Sequence, residues 1–105
     1  MRIAVTRGVS PVIGRCELSY REREPIDVGR AERQHLAYER CLADLGCTLV
    51  RLPVEPDLPD SVFVADTAIV LPELAVVTRP GAASRRPETA AVAASFLVGA
   101  LVVTA

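Results

Sequence analysis

The alternation of apolar and polar positions divides the chain into short strands and helices. "RIAVT" (residues 2–6) is a β-branched run ended by Arg7-Gly8 and predicts a strand. A stretch of about twenty residues without clear periodicity follows, "RGVSPVIGRCELSYREREPID", longer than connections inside compact domains usually run. Loops of that length are lids, binding loops or disordered segments. Asp27 then offers an N-cap to a helix running to about Leu45, with Ala31, His35, Tyr38, Leu42 and Leu45 on one stripe and Gly46 as its stop. "CTLVRLP" (47–53) predicts a second strand and "PVEPDLP" a proline-rich connection. "SVFVADTAIVL" and "LAVVTR" predict two more strands that turn at Pro72-Glu73. "RPGAASRRPE" turns again and leads into the alanine-rich helix "ETAAVAASF", with Pro87 where a first helical turn tolerates proline. Strands alternating with helices predict an α/β chain.

Composition narrows the class. At 105 residues the chain holds one modest domain at most, half its residues are hydrophobic, and the net charge of -1 argues against an electrostatic grip on nucleic acid. All twelve basic residues are arginine, which reflects genomic base composition more readily than carboxylate recognition. Cys16, Cys41 and Cys47 form no CxxC pair and have no histidine at metal-ligand spacing, so a reduced, cytoplasmic chain is expected. "MRIAVTRG" is too short an apolar run for a secretory signal.

"PDSVFVADTAIV" places Asp60 and Asp66 at the edges of an apolar run that otherwise reads as one buried strand. Along a straight strand they would lie about 20 Å apart, too far to hold one small group. They can share a ligand only if the chain bends between them or if Asp60 belongs to the preceding loop. Asp66 is flanked on both sides by apolar residues, where an ionised carboxylate needs a partner. A capped turn between two short strands accounts for it equally well. Arg85 and Arg86 stand at a helix start, where the macrodipole disfavours positive charge, which hints at a duty beyond helix stability. The plainer reading has both extending into water. A carboxylate in an apolar run, paired arginines and a long loop together would suit a zwitterionic ligand such as a guanidino amino acid.

"TRGVSPVIGRCELSYREREPIDV", "QHLAYE", "LPDSVFVADTAIV" and "VVTRPGAASRRPE" together resemble the N-terminal part of dimethylarginine dimethylaminohydrolases, over nearly all of residues 3–92. That family belongs to the guanidino-modifying superfamily with the five-bladed α/β-propeller (pentein) fold. The resemblance implies a partial propeller of about two ββαβ-type blades and hydrolysis of Nω-methylated arginine to citrulline and a methylamine. Such chemistry uses a cysteine nucleophile and a histidine, without metal or organic cofactor. It further implies that Asp60 helps hold the amino-acid end of the substrate, Asp66 the guanidinium and Arg85 the α-carboxylate. Leu18 would belong to a flap over the ligand.

Two departures qualify this. Ala65 stands where the family motif has glutamate, and neighbouring strand residues face opposite ways, so positions 65 and 66 could serve one pocket only from irregular backbone. The family's catalytic histidine and cysteine lie beyond residue 105, and His35 and the three cysteines do not replace them. From Thr89 onward no residue is charged, and residues 93–105 form an apolar tail that leaves the family pattern. It is too short for a membrane span and reads as a helix and strand whose partners are missing, as in a truncated or frameshifted product. The expectation is an N-terminal fragment of an amidinohydrolase, 1–105. It would be inactive alone and would self-associate through its open propeller edge, without nucleic-acid or membrane partners. A fragment of an arginine or agmatine deiminase is the rival within the superfamily. A non-catalytic module binding an amino acid or another chain is the rival outside it.

Overall fold

The computed structural model describes residues 2–18 and 21–95, and the backbone of 101–104. Two compact units divide the chain, Met1–Val62 and Phe63–Ala105. In the first, β1 (Arg2–Arg7) pairs in parallel with β2 (Cys47–Leu52), from Arg2 opposite Cys47 to Arg7 opposite Leu52. Parallel neighbours need a long crossover, and α1 (Val28–Asp44) supplies it. The Asp27 side chain accepts the Arg30 N–H at 3.0 Å, a cap that contributes about 1 kcal/mol. At the other end Gly46 takes φ +91°, a left-handed turn that costs glycine nothing.

The face that α1 buries differs from its apolar stripe. Ala31, His35 and Leu42 are half-buried, but Tyr38 and Leu45 are exposed, and the one fully buried residue of the helix is Glu39. Its carboxylate accepts the Thr6 hydroxyl at 3.0 Å and Arg51 Nε at 2.6 Å. His35 Nε2 stands 3.4 Å from the other carboxylate oxygen, too poorly placed for a hydrogen bond. One side chain therefore ties α1 to both strands. Burial raises the Glu39 pKa, but hydrogen bonds from Arg51 and Thr6 and the nearby charges of Arg51 and His35 outweigh it, and the net shift is downward.

The aperiodic stretch after β1 is packed where it begins. Val9, Ser10 and Ile13 are buried, and a 3-10 turn forms at Ile13–Arg15. Ser10 donates its hydroxyl to the Pro56 carbonyl at 2.9 Å, and Arg7 Nε donates to the Pro53 carbonyl at 3.1 Å. A Cβ on Gly8 would lie 2.9 Å from Val54 Cγ2, so any other residue here would require the Val54 side chain to shift. Arg7 is wholly buried, and its terminal amino groups have no acceptor among the described residues.

In the second unit β3 (Ala68–Val70) runs antiparallel to β4 (Leu74–Val77), with β5 (Leu101–Thr104) parallel to β4 on its other side. The strand at the chain's apolar end thus has a partner, contrary to the expectation that its partners are missing. Residues 96–100, where the predicted helix ends and the tail continues, lie outside the described residues. "SVFVADTAIVL" is not one strand: turns at 59–62 and a 3-10 turn at Val64–Asp66 precede the three residues of β3. The break has a local cause. The Thr67 hydroxyl turns back onto the Val64 carbonyl at 2.6 Å, and Thr78 N–H bonds the Thr67 carbonyl at 2.9 Å, so a side chain diverts the backbone from the ladder. A further 3-10 turn, Ala83–Glu88, runs into α2 (Thr89–Ser95), whose Val92 is buried as are Ala75 and Val77 of β4.

Because the Glu39 pKa is lowered on folding, its contribution is present above the ordinary value of 4.5 and is lost as pH falls through the folded-state value. Glu39→Gln should cost about 2 kcal/mol at pH 7 and flatten the loss of stability below about pH 4.5, read by urea unfolding at several pH values. An unchanged acid limb in the variant would contradict the role assigned to Glu39.

Candidate ligand-binding site

The four residues expected to bind a ligand fall into two pairs, one per unit. In the first unit Asp60 is nearly buried in the turn that ends the proline-rich connection, and it accepts the backbone N–H of Glu17 at 3.0 Å. That bond fixes the loop next to Leu18, whose side chain is 42% exposed. Arg23 secures the same loop by donating to the carbonyls of Gly14 and Cys16, the latter at 2.9 Å. Leu18, Cys16 and Ile26 line a cleft of about 190 Å³ with Arg21, Glu22 and Arg23. Leu18 is thus an apolar side chain at an open rim, on a loop whose base is anchored by a carboxylate.

In the second unit Asp66 and Arg85 meet: Arg85 Nη1 lies 2.9 Å from Asp66 Oδ2. Asp66 was expected to need a partner, and it has one, although its side chain is 59% exposed. It stands in a 3-10 turn, the irregular backbone that a shared role for positions 65 and 66 requires, and Thr78 Oγ1 holds that turn through the Asp66 carbonyl at 2.8 Å. Ala65 is exposed on the same turn.

The paired arginines have separate duties, and neither simply extends into water. Arg86 donates to the carbonyls of Pro80 and Gly81 at 3.0 and 3.3 Å and braces the preceding turn. Arg85 points inward onto Glu88, a carboxylate that is 1% exposed and accepts Nε at 3.1 Å and Nη2 at 3.0 Å. Sequence reasoning missed Glu88. Its signal was the i, i+3 spacing from Arg85 just ahead of an uncharged helix, where the two side chains share a face.

This arrangement can hold charge of either sign. Arg85 offers a rigid donor plane to a carboxylate, and Asp66 offers an open carboxylate to a cation. The two residues that the resemblance assigns to opposite ends of a ligand are bonded to each other here, with Arg85 shared between Asp66 and Glu88. No group of histidine, cysteine and acidic side chains able to hold a metal occurs among the described residues, and no described helix is long and apolar enough to cross a membrane. Among the described residues, Cys16 and Cys47 are half-buried, Cys41 is exposed, and all three are free thiols.

No family model matches the chain. Individual proteins do. A curated N(G),N(G)-dimethylarginine dimethylaminohydrolase of Streptomyces coelicolor is 42% identical over 89 residues, which is 85% of this chain and 34% of that protein. The enzyme of the same name from Pseudomonas aeruginosa is 44% identical over 63 residues, 60% of this chain and 25% of its own length. A crystal structure of the Pseudomonas aeruginosa enzyme, a cysteine-to-serine variant complexed with citrulline, superposes with a TM-score of 0.85 at 32% identity, covering 95% of this chain and 40% of that one. The chain therefore shares the pentein-type α/β fold of these enzymes. The chain belongs to the dimethylarginine dimethylaminohydrolase family, and it spans about a third of the length of the curated relatives it matches.

The pairs should separate in their effect on stability. Asp60→Ala leaves the Glu17 N–H without its carboxylate and should cost about 1–3 kcal/mol, with faster amide exchange at Glu17. Asp66→Asn removes an exposed ion pair and should cost under about 1 kcal/mol in the same urea titration.

Proposed function

We propose that the chain supplies ligand-holding elements of a hydrolase acting on Nω-methylated arginine, within a partial propeller of about two blades. The observation that carries this reading is the Glu88–Arg85–Asp66 constellation, at positions that match the family's "SRRPE" and "FVED" segments, in a chain 42% identical to a dimethylarginine dimethylaminohydrolase. In this reading Arg85 holds the α-carboxylate and Asp66 the guanidinium. Asp60 supports the amino-acid end, both directly and by fixing the loop that carries Leu18. The ligand is a guanidino amino acid. Three free thiols are in keeping with a reducing, cytoplasmic setting.

The chemistry itself needs more than these residues. Attack on a guanidinium carbon requires a thiolate held next to a proton donor, and Cys16, Cys41 and Cys47 have no activating base in the family's positions. The purified chain should therefore make no citrulline from dimethylarginine. Citrulline formation abolished by Cys16→Ser or Cys41→Ser would overturn that. For ligand binding, calorimetry with arginine or methylarginine should show Asp66→Asn losing binding, at a cost of about 2–5 kcal/mol, and Asp60→Asn weakening it. Equal affinities for wild type and Asp66→Asn would remove Asp66 from the site.

Self-association is the second part of the proposal. Ile69 and Val70 are exposed on β3, an edge strand of its sheet, Leu71 is exposed just after it, and Phe63 is exposed ahead of the 3-10 turn. A short apolar edge with unpaired ladder groups is a template for another chain. Light scattering at micromolar concentration should report species larger than a monomer, and Ile69→Lys should reduce them. A stable monomer unaffected by that change would favour a self-sufficient binding module.

A further inference from the structure

We infer that Glu88 is a positioning residue for Arg85, and that a ligand carboxylate binds by displacing Asp66, never Glu88, from the guanidinium. The inference rests on the reading of Arg85 as the carboxylate-holding residue and assigns a role to a side chain outside the expected site. Glu88 is 1% exposed, and a carboxylate so placed persists only with strong donors. It has them in both oxygens: Oε2 accepts Nε at 3.1 Å and Oε1 accepts Nη2 at 3.0 Å. This fork fixes the guanidinium plane along one edge. Glu88 is also the last residue of a 3-10 turn that flows directly into α2, so its backbone is held from both sides.

The contact of Arg85 with Asp66 is different in kind. Asp66 makes a single bond, to Nη1 at 2.9 Å, and its side chain is 59% exposed against 15% for Arg85. Water and salt screen that pair, whereas the Glu88 pair is dry. An incoming carboxylate can compete with the wet partner at little cost. Competing with Glu88 would strand a buried charge. Displacement on Nη1 also releases Asp66 to meet a cationic group, so the internal pair is exchanged for contacts of both signs with a zwitterion. Glu88 keeps the guanidinium in place while this exchange happens.

The test uses the full chain and two ligands, arginine and agmatine, its counterpart without the α-carboxylate. Calorimetry should show Glu88→Gln weakening arginine about tenfold while agmatine changes by less than about twofold. In parallel, side-chain nitrogen-15 spectra should show a slowly exchanging Arg85 Nε–H in the wild type that is lost in Glu88→Gln. Glu88→Asp, which keeps the charge and shortens the reach, replaces it if Glu88→Gln does not fold. Equal losses for both ligands would mean a structural role only, and an Nε–H signal that survives in the variants would overturn the clamp. If the wild type binds neither ligand, the amino-acid reading of the site fails, and the Nε–H signal still decides the role of Glu88.

Discussion

Each unit is organised around a buried carboxylate that must be met by donors of its own unit. Glu39 in the first unit and Glu88 in the second are nearly inaccessible to water, and both are engaged by an arginine. Among the described residues more polar side chains than apolar ones are buried: the apolar set is Val9, Ile13, Ala75, Val77 and Val92. Apolar burial at about 25 cal/mol per Å² contributes little from so small a set. Hydrogen-bond geometry then decides which conformation is kept. Thr6, Ser10, Asp60 and Thr67 follow the same rule, each with its side chain committed to another part of its unit.

How much of this was legible in the sequence depends on how local the cause is. The helix from Asp27 to Gly46 was legible because a capping side chain and a left-handed glycine act within one turn of their own position. β1 and β2 were legible as β-branched runs bounded by breakers. The face of α1 was not, because a glutamate beside an arginine looks like a solvated position until Thr6 and Arg51 come to it from two other elements. Glu88 was missed for a different reason, since its partner Arg85 lies only three residues away inside "SRRPE". The run from Ser61 to Leu71 was misread as a strand because its apolar letters outnumber the Thr67 hydroxyl that bends it. Arg85 was legible twice over, as a charge on the wrong end of a helix and as part of a motif. For Asp66 the need for a partner was read correctly, from a burial that the exposed 3-10 turn does not have.

For ligand recognition, the state of the site before binding matters as much as its contacts. Asp66 is bonded to Arg85, and Arg85 is bonded to Glu88 as well, so neither Asp66 nor Arg85 meets solvent as a bare ion. On the proposed reading of the site, a ligand carrying one charge would gain one contact and break one. A zwitterion would gain two for the pair it breaks, which would favour amino acids over simple carboxylates or amines.

The parallel pairing of β1 with β2 also sets the chain entropy that folding must overcome. Arg7 and Cys47 are held at adjacent strands although the intervening chain contains the long loop and all of α1. Closing a flexible loop of some forty residues costs about 3 kcal/mol in chain entropy beyond a constant term. A helix formed beforehand shortens the path to be closed, and it carries Glu39 already aimed at one side. The strands can then be gathered onto that carboxylate by Thr6 and Arg51. Substitutions at the Asp27 cap would on this scheme slow folding as well as weaken the folded state, whereas those at Thr6 would act chiefly by speeding unfolding.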